Sequence, residues 1–136
     1  MRLIAGTAFG RRAPAAVYSP MFYLAATLEA GAVLEMPVEH AERAAYLAEG
    51  SIEVEGERRE VGEMLIFEPA ATVAIRAVSP SRVMLLGGAP LDGPRHVWWN
   101  FVSSSLERIE IAKVDWAEDR VAPVPGDPER IPLPER

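Results

Sequence analysis

From Arg2 to about Asn100 no apolar stretch lasts long: short runs of aliphatic and aromatic residues are cut at close intervals by glycine or proline. Many short strands with turn signals this close together argue against alternating strand and helix and for an all-β sandwich or barrel. Strands are expected at Arg2–Ala5, Met21–Leu28, Val33–Met36, Ala44–Ala48, Ser51–Val54, Met64–Phe67, Thr72–Val78, Arg82–Leu86 and Val97–Val102. The alternation Ile52-Glu53-Val54-Glu55 marks a strand with one face in a core and the other in water. Turn signals sit at Glu29-Ala30-Gly31, Glu49-Gly50, Glu55-Gly56-Glu57, Val61-Gly62-Glu63 and Ser79-Pro80, and Gly87-Gly88 ahead of Ala89-Pro90 reads as another turn.

A different texture follows. Ser104 and Glu107 have capping-box spacing, after which Leu106, Ile109, Ala112 and Trp116 recur at three- and four-residue steps. This predicts one amphipathic helix over about 104–117, lying against the barrel through Ile109 and Trp116. Residues 121–136 hold five of the twelve prolines, which lack an amide donor and fix φ, so this stretch reads as an extended tail outside any sheet. The organisation is therefore one domain over residues 1–120 with a tail over 121–136.

Composition narrows the function classes. The net charge of −6 and the lack of any basic run argue against a phosphate backbone as partner. There is no cysteine, which removes disulfides, thiolate metal sites and a cysteine nucleophile. No run of about 18 apolar residues exists to span a membrane, and the apolar stretch after Met1 is too short for a signal peptide, so the expected location is the cytoplasm.

Several stretches resemble the C-terminal cupin domain of pirins. Arg2-Leu3-Ile4-Ala5-Gly6 and Tyr18-Ser19-Pro20-Met21-Phe22-Tyr23-Leu24 resemble its opening strands. Leu86-Gly87-Gly88-Ala89-Pro90-Leu91 and Pro94-Arg95-His96-Val97-Trp98-Trp99-Asn100-Phe101-Val102 are similar to the family's most specific block. Glu107-Arg108-Ile109-Glu110 and the tail Val124-Pro125-Gly126-Asp127, Ile131-Pro132-Leu133-Pro134-Glu135 extend the likeness over essentially the whole chain. The resemblance implies a double-stranded β-helix, or jelly roll, of the cupin kind. It also implies that the chain begins at the junction of a tandem pair. The iron and the quercetin 2,3-dioxygenase activity reported for some pirins would then belong to the absent N-terminal cupin.

A metal-binding cupin places two histidines and a glutamate on one strand and a third histidine after a Pro-x-Gly turn. Counting back from Gly50, Arg43 falls at the glutamate position, Glu39 or Val38 at the second histidine and Pro37 or Met36 at the first, with His40 off register. A one-residue slip would turn Glu42 and His40 inward instead. After Gly62-Glu63, Ala74 stands where the third histidine belongs. The expectation is thus no metal, no cofactor and no catalytic residue.

What remains is a metal-free binding or interaction module. Tyr18, Tyr23, His40, Arg43, Tyr46 and Phe67 are the candidates for lining a pocket that takes a small aromatic ligand. Self-association as a homodimer, or docking on a partner cupin domain, is expected for the apolar barrel face. The alternative is a pirin-type, quercetinase-like oxidoreductase, working alone or as half of a split two-cupin protein. The bland readings stand beside these: His40 among Glu39, Glu42 and Arg43 as a solvated rim, and His96 as a strand-end residue. Likewise Trp98 and Trp99 read as packing on opposite strand faces, and Ser103–Ser105 as a helix cap and not a nucleophile.

Overall fold

A computed structural model describes residues 1–127 and 129–134; Pro128, Glu135 and Arg136 of the expected tail lie outside the described residues. The contact pattern divides the chain into two units, Met1–Pro90 and Leu91–Arg136.

The first unit is built of strands β1 (Arg2–Ala8), β2 (Arg11–Arg12), β3 (Met21–Leu28), β4 (Val33–Glu35), β5 (Glu42–Glu49), β6 (Ser51–Val54), β7 (Glu57–Glu60), β8 (Met64–Phe67), β9 (Ala74–Ala77) and β10 (Ser81–Gly88). They form a six-stranded sheet in the order β2-β1-β3-β10-β5-β8 and a four-stranded sheet in the order β4-β9-β6-β7, all pairs antiparallel. This is the expected jelly-roll architecture, although the two sheets do not close on each other by hydrogen bonds.

Alternation decides which side chains enter the core. Phe22, Leu24, Leu47 and Leu85 of the larger sheet meet Ile52 and Ile75 of the smaller one, and all are buried. The space between the sheets is filled by these side chains, as interior packing density requires. Ile52 and Val54 are buried with Glu53 half-exposed between them, as the alternation predicts.

Two strands, β2 and β7, escape the sequence pattern. β7, Glu-Arg-Arg-Glu, has no apolar periodicity and is held by its hairpin with β6, whose two-residue loop Glu55-Gly56 has φ of 54° and 79°. Positive φ at both central residues matches the twist of the flanking strands, so turn geometry alone extends the ladder. The expected turn at Gly87-Gly88 is also corrected: both glycines continue β10, paired with Phe22 and Met21 of β3.

The second unit opens with a hairpin, β11 (His96–Trp98) and β12 (Phe101–Ser103), where one strand over Val97–Val102 was expected. Trp99 adopts φ of 51° and turns the chain, so Trp98 and Trp99 are not on opposite strand faces. Their rings instead meet edge to face at 6.3 Å. Helix α1 (Leu106–Ala117) is capped by Ser105, whose hydroxyl accepts from the Arg108 amide at 3.4 Å, one residue later than the expected Ser104. The helix packs on the hairpin through Trp116, edge to face with Trp99 at 5.2 Å, while the Trp116 indole donates to the Ile131 carbonyl at 2.8 Å. No helix among the described residues is long and apolar enough to cross a membrane.

Candidate functional site

The site begins with the row of inward positions that crosses the six-stranded sheet, Gly6, Phe22, Gly87, Arg43 and Phe67, each paired with the next across neighbouring strands. Two of the five are glycines, and their missing side chains leave width for the two largest buried ones, Arg43 and Phe22. A Cβ on Gly6 would stand 1.8 Å from the Met21 carbonyl oxygen.

Arg43 is 2% exposed, so its guanidinium is turned into the fold at the position where a cupin metal ligand would stand. One terminal nitrogen donates to the carbonyls of Glu68 and Ala71, both at 2.9 Å, and the other to that of Pro37 at 3.4 Å. Among the described residues no carboxylate lies within ion-pairing distance of it. Carbonyl dipoles are what compensate a charge that would otherwise be costly to bury.

His40 is also buried, and not the solvated rim residue of the sequence reading. Its ring stacks on Phe22 at 5.2 Å, and Nε2 lies 2.9 Å from the Thr7 carbonyl, which fixes that nitrogen as the donor. Glu39 accepts the Phe9 amide at 2.8 Å. Ala74 faces solvent, and its inward neighbours Val73 and Ile75 are aliphatic. The residues do not fit a cupin metal. The inward position carries a cation, and the described residues gather no cluster of three potential ligands.

A hollow of about 750 Å³ on the first unit lies on the solvent side of the six-stranded sheet and not between the sheets. Its floor is the outward row Ala5, Tyr23, Leu86, Ala44 and Ile66, again paired strand to strand. The next outward row, Met21, Gly88 and Glu42, together with Glu68, closes one end. Small residues deepen it: Ala44 lies between Leu86 and Ile66, Ala5 beside Tyr23, and Gly88 between Met21 and Glu42.

The six expected ligand residues are dispersed. Tyr23, Arg43 and Phe67 line this hollow. Tyr46 belongs to the adjoining outward row beside Met84 and Met64, Tyr18 is fully exposed in the loop before β3, and His40 lies beneath Phe22. Glu42 and Glu68 at the rim were not singled out as pocket residues; the period-2 alternation of β5 and β8 already placed them on the same face as Ala44 and Ile66. In the second unit, Arg95 pairs with Asp92 at 2.5 Å and holds that carboxyl below the usual carboxylate range.

Comparison with known proteins agrees with this architecture. Residues 23–122 match the Pirin C-terminal cupin domain. A pirin-like protein of Caulobacter vibrioides is 50% identical over 135 residues, which is 98% of this chain and 46% of that one. A Pseudomonas aeruginosa protein that carries the provisional name of quercetin 2,3-dioxygenase is 34% identical over 118 residues, 85% of this chain and 38% of that one. Quercetin 2,3-dioxygenase from Acinetobacter baumannii superposes with a TM-score of 0.84 at 21% identity, over 98% of this chain and 46% of that structure. The chain thus spans less than half the length of these curated relatives, and by its match to the C-terminal domain it belongs to the pirin family.

Proposed function

We propose that this chain is a metal-free pirin-type cupin that works as a binding or interaction module and not as a metal-dependent oxygenase on its own. The observation that carries the reading is the buried Arg43 guanidinium, which stands where a metal ligand would be needed and is held there by three backbone carbonyls. A cation fixed at that point repels a divalent metal, and His40 would be a single ligand, with no group of three among the described residues. On this reading the chain acts in the cytoplasm, needs no cofactor and takes a small aromatic ligand. It self-associates, or docks on a second cupin domain. The test is metal content of the purified chain by mass spectrometry together with quercetin turnover. The expected result is no stoichiometric transition metal and no turnover; one equivalent of iron, nickel or copper, lost in His40→Ala, overturns it.

A second reading rests on the relatives' names and lengths. The chain covers 46% and 38% of two relatives, one of them named for quercetin 2,3-dioxygenase. As half of a two-cupin protein it would support such oxidation without holding the metal. Quercetin turnover that requires co-expression with a second cupin domain favours this reading.

A further inference from the structure

We infer that the outer groove of the six-stranded sheet is a binding site for a small organic cation with a flat apolar body, such as an aromatic or arylalkyl amine. This deepens the small-ligand part of the module reading and rests on it, but it is independent of the metal question, because the groove lies on the side of the sheet opposite the Arg43 guanidinium and the filled interior.

Size, lining and charge lead to the same class of molecule. About 750 Å³ is within the usual range of small-molecule pockets. The floor offers a flat body the Tyr23 ring, Leu86 and Ile66, with Ile66 83% exposed and therefore the side chain that gains most from being covered. One end is acidic: Glu42 and Glu68 both line the hollow and both are exposed. Neither carboxylate takes part in a hydrogen bond or ion pair among the described residues, unlike Glu49, which is paired with Arg82 at 3.3 Å at the far end of the same face. The one basic residue in the lining is Arg43, whose charge is turned to the other side of the sheet and spent on carbonyls. An anion entering the groove meets two uncompensated carboxylates. An ammonium meets the same two as partners, in a groove that Tyr23 also lines.

The test uses the full chain and three naphthalene probes of one shape: 1-naphthylmethylammonium, the neutral 1-naphthalenemethanol and the anion 1-naphthylacetate. Each is titrated by calorimetry and followed by amide chemical shifts. The ammonium is expected to bind one to one, about tenfold tighter than the alcohol, as two exposed charge contacts provide, with the anion weaker than both. Rising salt should narrow the difference. The shifts should centre on Tyr23, Ala44 and Leu86. Glu42→Gln with Glu68→Gln should bring the ammonium to the level of the alcohol while leaving the alcohol unchanged, and Ala44→Phe, which fills the floor, should remove binding of both. Equal binding of the three probes, no saturable binding, or shifts centred elsewhere overturns the assignment. So does a concentration-dependent dimer in which the same amides shift on dilution without any probe, since the occupant would then be a second copy.

Discussion

Gly87 of β10 is paired with Arg43 of β5, and a Cβ at Gly87 would lie 2.2 Å from the Glu42 carbonyl oxygen and 2.6 Å from the Phe22 ring. The backbone oxygen has no room to retreat without breaking the sheet. Gly87→Ala is therefore expected to destabilise the fold by about 1–3 kcal/mol, the usual cost of overpacking, with the upper end favoured by the rigid neighbour. Urea denaturation measures it. Gly93→Ala, where nothing lies within 4 Å, is the matched control and should stay within about 0.5 kcal/mol.

The cap of α1 gives a prediction that separates two adjacent serines. Ser105 has extended φ and ψ of −128° and 127°, and its hydroxyl receives the Arg108 amide, whereas Ser104 is exposed before it. Ser105→Ala should cost on the order of 1 kcal/mol and Ser104→Ala well under half of that in thermal unfolding. A larger loss in Ser104→Ala than in Ser105→Ala would place the cap at the other serine, where the capping-box spacing with Glu107 first put it.

These two cases mark where sequence reasoning succeeds and where it stops. Strands with clear period-2 alternation, such as Met21–Leu28 and Ser51–Val54, coincide with their observed bounds because burial of one face fixes both extent and register. Gly87-Gly88 was misread as a turn because a glycine pair carries no sign of whether it bends the chain or makes room beside it; only the neighbour across the ladder decides. β7 was missed because a hairpin partner, and not its own side chains, holds it. At the site, Arg43 was legible as a break in the metal motif once the cupin resemblance supplied that motif's spacing. Its partners Pro37, Glu68 and Ala71 lie 6 to 28 residues away and are main-chain atoms, which side-chain patterns do not encode. The outer groove was hidden for a related reason. It is a row of residues from five strands, and no two of them are sequence neighbours.

Arg43 itself supplies the most direct check of the interior. Its guanidinium ties β5 to two separate loops, through Pro37 after β4 and through Glu68 and Ala71 after β8. Hydrogen bonds from a charged donor are worth about 1.5–3 kcal/mol each, and leaving buried carbonyls without a donor adds a desolvation cost. Arg43→Met keeps much of the stem volume but removes every donor, so it should destabilise the chain by about 2–5 kcal/mol. Arg82→Met is the contrast, because Arg82 faces water and pairs with Glu49, an exposed contact worth about 0–1 kcal/mol. Arg43→Lys should fall between, since an ammonium keeps the charge but lacks the planar fork that reaches two carbonyls at once. Hydrogen exchange adds a local readout: the Ala71 amide, which donates to Glu68 at 3.2 Å, should lose protection in Arg43→Met before the amides of β3 do. A stability change under about 0.5 kcal/mol, with protection at Ala71 retained, would show that the loops hold without the guanidinium. In that case the residue would be free for a ligand after all, and the structural reading of its burial would fail.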